Sequence, residues 1–152
     1  MSQLPNTSAP PWPGDTPAGR FASTIRTDSS DGCTVALLGL PDDTGVRLNN
    51  GRTGAAGGPK AFRAALARYG VADSAGGYLP LVFDAGDVMP TGSLEKTHER
   101  VTEATTALLD RGLFPIAIGG GHDLTYPFVR AVAAKYPKLA GIYFDAHLDV
   151  RE

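Results

Sequence analysis

Four short apolar runs, each cut off by glycine, proline or aspartate, alternate with helical patterns and limit this chain to few architectures. The runs are Thr34–Leu40, Leu79–Phe83, Leu113–Ile118 and Leu139–Phe144. Runs of this length and composition read as buried strands. After the first comes a long Gly- and Asn-rich loop, Pro41 to Gly58. Pro59 then opens a helix with Phe62, Leu66 and Tyr69 on its apolar face, and Gly70 ends it. Ser93 caps a second helix, with Leu94, Val101, Ala104, Leu108 and Leu109 on one side and Gly112 as its stop. Phe128, Val129, Val132 and Tyr136 mark a third, stopped by Pro137. Strands alternating with amphipathic helices imply a parallel sheet with helices on its faces. Such α/β sheets bind ligands at the carboxyl ends of their strands.

Two of those ends carry unusual chemistry. The last run leads into Asp145-Ala-His147-Leu-Asp149-Val-Arg151. In an extended chain alternate side chains share a face, so Asp145, His147 and Asp149 would form one polar row while Ala146, Leu148 and Val150 turn toward packing. The third run leads into Gly119-Gly-Gly-His122-Asp123. Its glycines permit close backbone approach and positive φ. They could also make an anion nest, but no lysine follows them, which argues against a nucleotide-binding P-loop. His122, Asp145, His147 and Asp149 are therefore candidate metal ligands. Oxygen-rich ligation with imidazole and no thiolate favours Mn²⁺ or Fe²⁺ over structural zinc. Bridging carboxylates would allow two ions ~3.5–4 Å apart, with bound water made acidic near neutral pH.

Composition narrows the function. The chain has 152 residues and a formal net charge of −2, which does not suggest a nucleic-acid or membrane-surface partner. No apolar stretch approaches the ~20 residues of a membrane span, and no secretory signal pattern opens the chain. A single cysteine, Cys33, cannot form an intrachain disulfide, so a reducing cytoplasm is the expected location. Residues 1–32 are rich in Pro, Ser, Thr and Gly without periodicity, and read as a flexible, mobile or loosely docked arm ahead of one α/β domain, 33–152. Tyr126 and Phe128 are expected to pack in the core, and His98 to be solvated on the polar side of its helix.

GGGHD together with FDAHLDVR resembles the ureohydrolase family of arginases, agmatinases and formimidoylglutamases. The segment from Asp43-Thr-Gly45-Val-Arg47 through Gly58-Pro59-Lys-Ala-Phe-Arg63 resembles the formimidoylglutamase form of that family's Gly-Pro motif. The resemblance implies a three-layer α/β/α fold with a parallel sheet, two Mn²⁺ ions and a homo-oligomer. By it, His122 would bind the first Mn²⁺ and His147 the second. Asp145 would bridge both. Asp149 would bind the first and accept a hydrogen bond from a bridging hydroxide, as a catalytic group. Arg151 stands where arginases carry a neutral Asn, and arginine pairs bidentately with carboxylates. An N-formimidoyl-L-glutamate substrate, hydrolysed to L-glutamate and formamide, suits a cation there. Arginine, agmatine or another guanidino compound is the alternative within the family, and a non-catalytic α/β interaction module the alternative outside it.

Two five- or six-coordinate ions need roughly ten ligand positions, more than His122, Asp145, His147 and Asp149 provide. The resemblance implies a second Asp-x-Asp motif and a glutamate beyond Glu152. The chain is accordingly expected to be truncated after the first metal-binding half of a longer enzyme. Arg47 and Arg52 are expected to be structural or surface residues.

Overall fold

The computed structural model describes residues 4–14, 16–71 and 80–147. A sheet of four strands is ordered β1-β3-β2-β4. Its members are β1 (Thr7–Ser8), β2 (Val35–Gly39), β3 (Val82–Val88) and β4 (Phe114–Ile118). Strand β2 is central and runs parallel to β3 on one side and β4 on the other. The short β1 pairs antiparallel with β3, so the sheet is mixed at one edge. Four α-helices accompany it: α1 (Thr44–Leu48), α2 (Gly58–Leu66), α3 (Leu94–Asp110) and α4 (Thr125–Lys135).

Topology places the helices. From β2 the chain crosses through α2 to β3, and then through α3 back over β2 to β4. Parallel crossovers are almost always right-handed. Travel in opposite directions therefore puts α2 and α3 on opposite faces of the sheet. Helix α4 joins α3, tied by the Thr102 hydroxyl donating to the Pro127 carbonyl at 2.9 Å and by Lys135 to Asp110 at 2.6 Å. The result is the three-layer α/β arrangement. Between the layers sit Ala36, Leu38, Phe83, Ala85, Val101, Ala104, Leu108 and Leu124. The α3 stripe is buried as its periodicity requires, and Ser93 caps the helix by accepting from the Lys96 N–H at 3.4 Å.

Helix α2 departs from expectation. Phe62 and Tyr69, read as its inward face, are 39% and 67% exposed. The buried residues of α2 are Pro59 and Arg63. Arg63 is fully enclosed and reaches Asp84 on β3 through Nε at 2.7 Å and Nη2 at 2.8 Å, and Asp87 through Nη1 at 2.6 Å. Both carboxylates fall within a strand that runs past the expected end near Asp84, to Val88. An ion pair, rather than aromatic packing, orients this helix. A buried guanidinium is tolerated because its fork is matched bidentately.

The N-terminal segment also has partners. Leu4 joins the core, β1 covers the edge of β3, and Arg26 receives and donates backbone hydrogen bonds along β3. Its lack of periodicity reflects short, irregular pieces that pair with a pre-formed edge.

The fourth expected strand, Leu139–Phe144, is not formed. Ile142, Tyr143 and Phe144 are 83%, 63% and 99% exposed. A strand needs a neighbour for its backbone groups, and β4 ends the described sheet with its outer edge unpaired. Phe114 and Ile116 on β4 are likewise 67% and 40% exposed. Each such side chain would contribute roughly 1.5–3 kcal/mol if buried. Tyr126 is not core either, at 63% exposure, whereas Phe128 packs against the core as expected.

Candidate metal centre

Neighbouring strands β2 and β4 send their outgoing chains to opposite faces, one toward α2 and the other toward α4. The crevice at their carboxyl ends is the topological switch point, where open α/β sheets bind ligands. Backbone bonds lock the two emerging loops together. Leu40 N–H donates to Ile118 at 3.1 Å, and Gly121 N–H to Asp42 at 2.8 Å. Gly119 and Gly120 hold φ of +62° and +104°. A Cβ at Gly119 would stand 3.0 Å from Gly58 Cα, and one at Gly120 would strike the Leu40 carbonyl. The triple-glycine pattern thus answers a close crossing of two backbones.

From that crossing a single 3-10 turn, His122–Leu124, presents an exposed His122. Its ring meets Tyr143 edge-on at 6.4 Å between centroids. Asp145 follows Tyr143 by two residues. Asp145 in turn accepts from the His147 backbone N–H at 2.7 Å and contacts His147 Nδ1 at 3.1 Å. The backbone hydrogen bond holds the Asp145 carboxyl below its ordinary value, helped by the His147 ring and by His122. This is a turn closed by an aspartate side chain, not the extended row expected from alternation. Asp149 and Arg151 lie outside the described residues.

The donor set fits a divalent metal in kind, with two imidazoles and a carboxylate and no thiolate. Its arrangement is partial. Among the described residues no three His, Cys, Asp or Glu side chains are grouped to hold an ion. His122 nonetheless meets the segment that carries Asp145 and His147, through its edge-on contact with Tyr143.

Several residues near the site have partners that sequence patterns did not indicate. Asp42 accepts from the Thr44 N–H at 2.8 Å and from its hydroxyl at 3.1 Å. Asp43 accepts from the Gly54 N–H at 2.6 Å, which holds its carboxyl below the ordinary value and closes the long loop. That loop, expected to be irregular, contains α1 and a 3-10 turn, Ala55–Gly57. His98 is not solvated: its Nε2 lies 2.9 Å from Asp123 Oδ2, with the imidazole 15% exposed. Its place beside the apolar stripe of α3, three residues before Val101, was the available signal. At the opposite end of the sheet, burial pushes the Cys33 thiol up, as suits an unreactive structural cysteine.

Fold and site together define an α/β domain with His122 at the switch point of its sheet. Residues 33–152 match the arginase family, and the chain belongs to it. It is 40% identical over 121 residues to formimidoylglutamase of Chromobacterium violaceum, covering 78% of this chain and 38% of that protein. A crystal structure of Trypanosoma cruzi formiminoglutamase with Mn²⁺2 superposes with a TM-score of 0.69 at 34% identity, over 81% of this chain and 42% of that one. Agmatinase of Bacillus anthracis is 45% identical over a shorter stretch of 71 residues, 46% of this chain and 24% of that protein. The chain thus spans about two-fifths of the formimidoylglutamases it matches. No helix among the described residues is long and apolar enough to cross a membrane.

Proposed function

We propose that this chain supplies part of the active site of a binuclear manganese hydrolase that converts N-formimidoyl-L-glutamate and water to L-glutamate and formamide. The observation that carries the reading is the contact of His122, on the turn after β4, with Tyr143, two residues before the Asp145–His147 pair. The similarity to formimidoylglutamases supports the substrate. His122, Asp145, His147 and Asp149 would hold the metals, with Asp145 shared between them. Bound there, the ions supply a water acidic enough to attack at neutral pH. Asp149 orients that nucleophile by accepting its proton in a hydrogen bond. Arg151 pairs with a substrate carboxylate and sets the formimidoyl carbon in position. Attack of water on that carbon and departure of the glutamate nitrogen, which takes up a proton, leave formamide.

The ligands named fill fewer than the roughly ten positions of two such ions, and water, substrate and side chains elsewhere in the whole protein would fill the rest. The local similarity to an agmatinase favours a second reading, hydrolysis of a guanidine side chain. One assay separates them. The whole protein containing this chain, loaded with Mn²⁺, is offered formimidoyl-glutamate, arginine and agmatine. Release of formamide from the first at the highest kcat/KM is expected. Faster urea release from agmatine or arginine would replace the proposed substrate.

A further inference from the structure

Beside the proposed ligand His122, the carboxylate of Asp123 is held by groups from three other places in the chain. His98 of α3 meets its Oδ2 at 2.9 Å. A carboxylate at neutral pH can only accept, so His98 Nε2 carries the proton of this bond. From α1, Gly45 packs so closely that a Cβ there would run into the carboxylate, and the same holds for Gly121. His98 is itself enclosed: Tyr126 stacks obliquely at 6.2 Å, and the Arg130 guanidinium caps Tyr126 at 5.4 Å. Arg130 also donates to the Thr102 hydroxyl at 2.7 Å and to the His98 carbonyl at 3.4 Å. The carboxylate and imidazole are 25% and 15% exposed, so this pair is part of the packing rather than a solvated contact.

We propose that Asp123 is a positioning residue: with its carboxylate fixed by His98, it clamps the His122 turn against α1, so that the His122 loop and the Asp43–Gly58 loop move as one body. The role rests on the metal reading of His122. It makes no demand on Asp123 as a ligand, since that carboxylate is already engaged by His98. The glycine at position 45 is explained by the same clamp, because the space a side chain would need is filled by Asp123.

The test uses the whole protein and the variants D123A, H98A, H98Q and G45A, with D123A/H98A and G45A/D123A as doubles. Amide hydrogen exchange of the metal-free protein is followed in 119–124 and 43–50, and Mn²⁺ affinity by titration. D123A is expected to speed exchange in both segments together and to weaken Mn²⁺ on the order of tenfold, the usual effect of losing an outer partner of a metal site. H98A should do the same, the D123A/H98A double no more than either single, and H98Q, which keeps a donor, should recover most of the affinity. G45A should disturb exchange, and adding D123A should relieve it. Faster exchange confined to 119–124, additive effects in the D123A/H98A double, or unchanged Mn²⁺ affinity would each overturn the proposal. A parent protein that takes up no Mn²⁺ contradicts the metal reading, and the positioning role with it. It is told apart from a failed clamp because the parent exchange pattern stays intact.

Discussion

Single residues at this site act through charge held in fixed places. Asp145 is the clearest, since it accepts from the His147 backbone N–H and contacts the His147 ring. Asp145→Ala in the whole protein should lose metal and formamide release together, as measured by metal content and turnover; two ions retained per chain would reject its bridging role. Arg63 makes the opposite kind of contribution, to stability alone. Removing it leaves Asp84 buried without its partner, and Arg63→Met should cost about 3–5 kcal/mol in denaturant unfolding. A loss under about 1 kcal/mol would mean that the pair contributes little. Asp43 carries the pH dependence. Its folded pKa lies below the ordinary 3.8 because the Gly54 N–H binds the charged form. Its contribution to loop order is therefore complete above that ordinary value and is lost as pH falls through the lower folded one. Exchange at the Gly54 amide, corrected for intrinsic rate, should rise only in that acidic window. A rise near neutrality would contradict the assignment. At this scale the close backbone crossing at Gly119 and Gly120 was legible from sequence, because three consecutive glycines follow an apolar run. Arg63 and His98 were not, because a charged or polar side chain on a helix is ordinarily solvated, and their acidic partners lie 21 and 25 positions away.

Elements follow the sequence where their environment is complete. Strands β2 and β4 and helix α3 form where apolar runs and the Ser93 cap indicate, because each meets its neighbours within the described residues. The run Leu139–Phe144 carries the same signal and forms no strand, and the outer edge of β4 is unpaired among the described residues. Its apolar side chains and the open edge of β4 make one prediction. The 152-residue chain on its own should self-associate, and Ile116→Lys should reduce this by charging the edge. Sedimentation would show it; a concentration-independent monomer in the parent would mean that the edge is covered some other way. Helix α2 shows the converse, an apolar pattern at Phe62 and Tyr69 that periodicity favours and burial does not, because the Arg63 ion pair fixes its rotation.

For the molecule as a whole, reversal of chain direction around β2 sets the location of the chemistry. It separates α2 from α3 and α4, opens a crevice between β2 and β4, and places both Gly-rich loops there. The strand–helix alternation made this architecture readable, while the antiparallel β1 edge was hidden in a segment with no repeat. Membership of the arginase family agrees with that architecture. The most direct measurement is anomalous diffraction at the manganese edge from crystals of the whole protein grown with Mn²⁺. Two peaks are predicted, with His122 on one ion, His147 on the other and Asp145 on both. Peaks remote from these side chains, or imidazoles 122 and 147 turned away from occupied metal, would contradict the account.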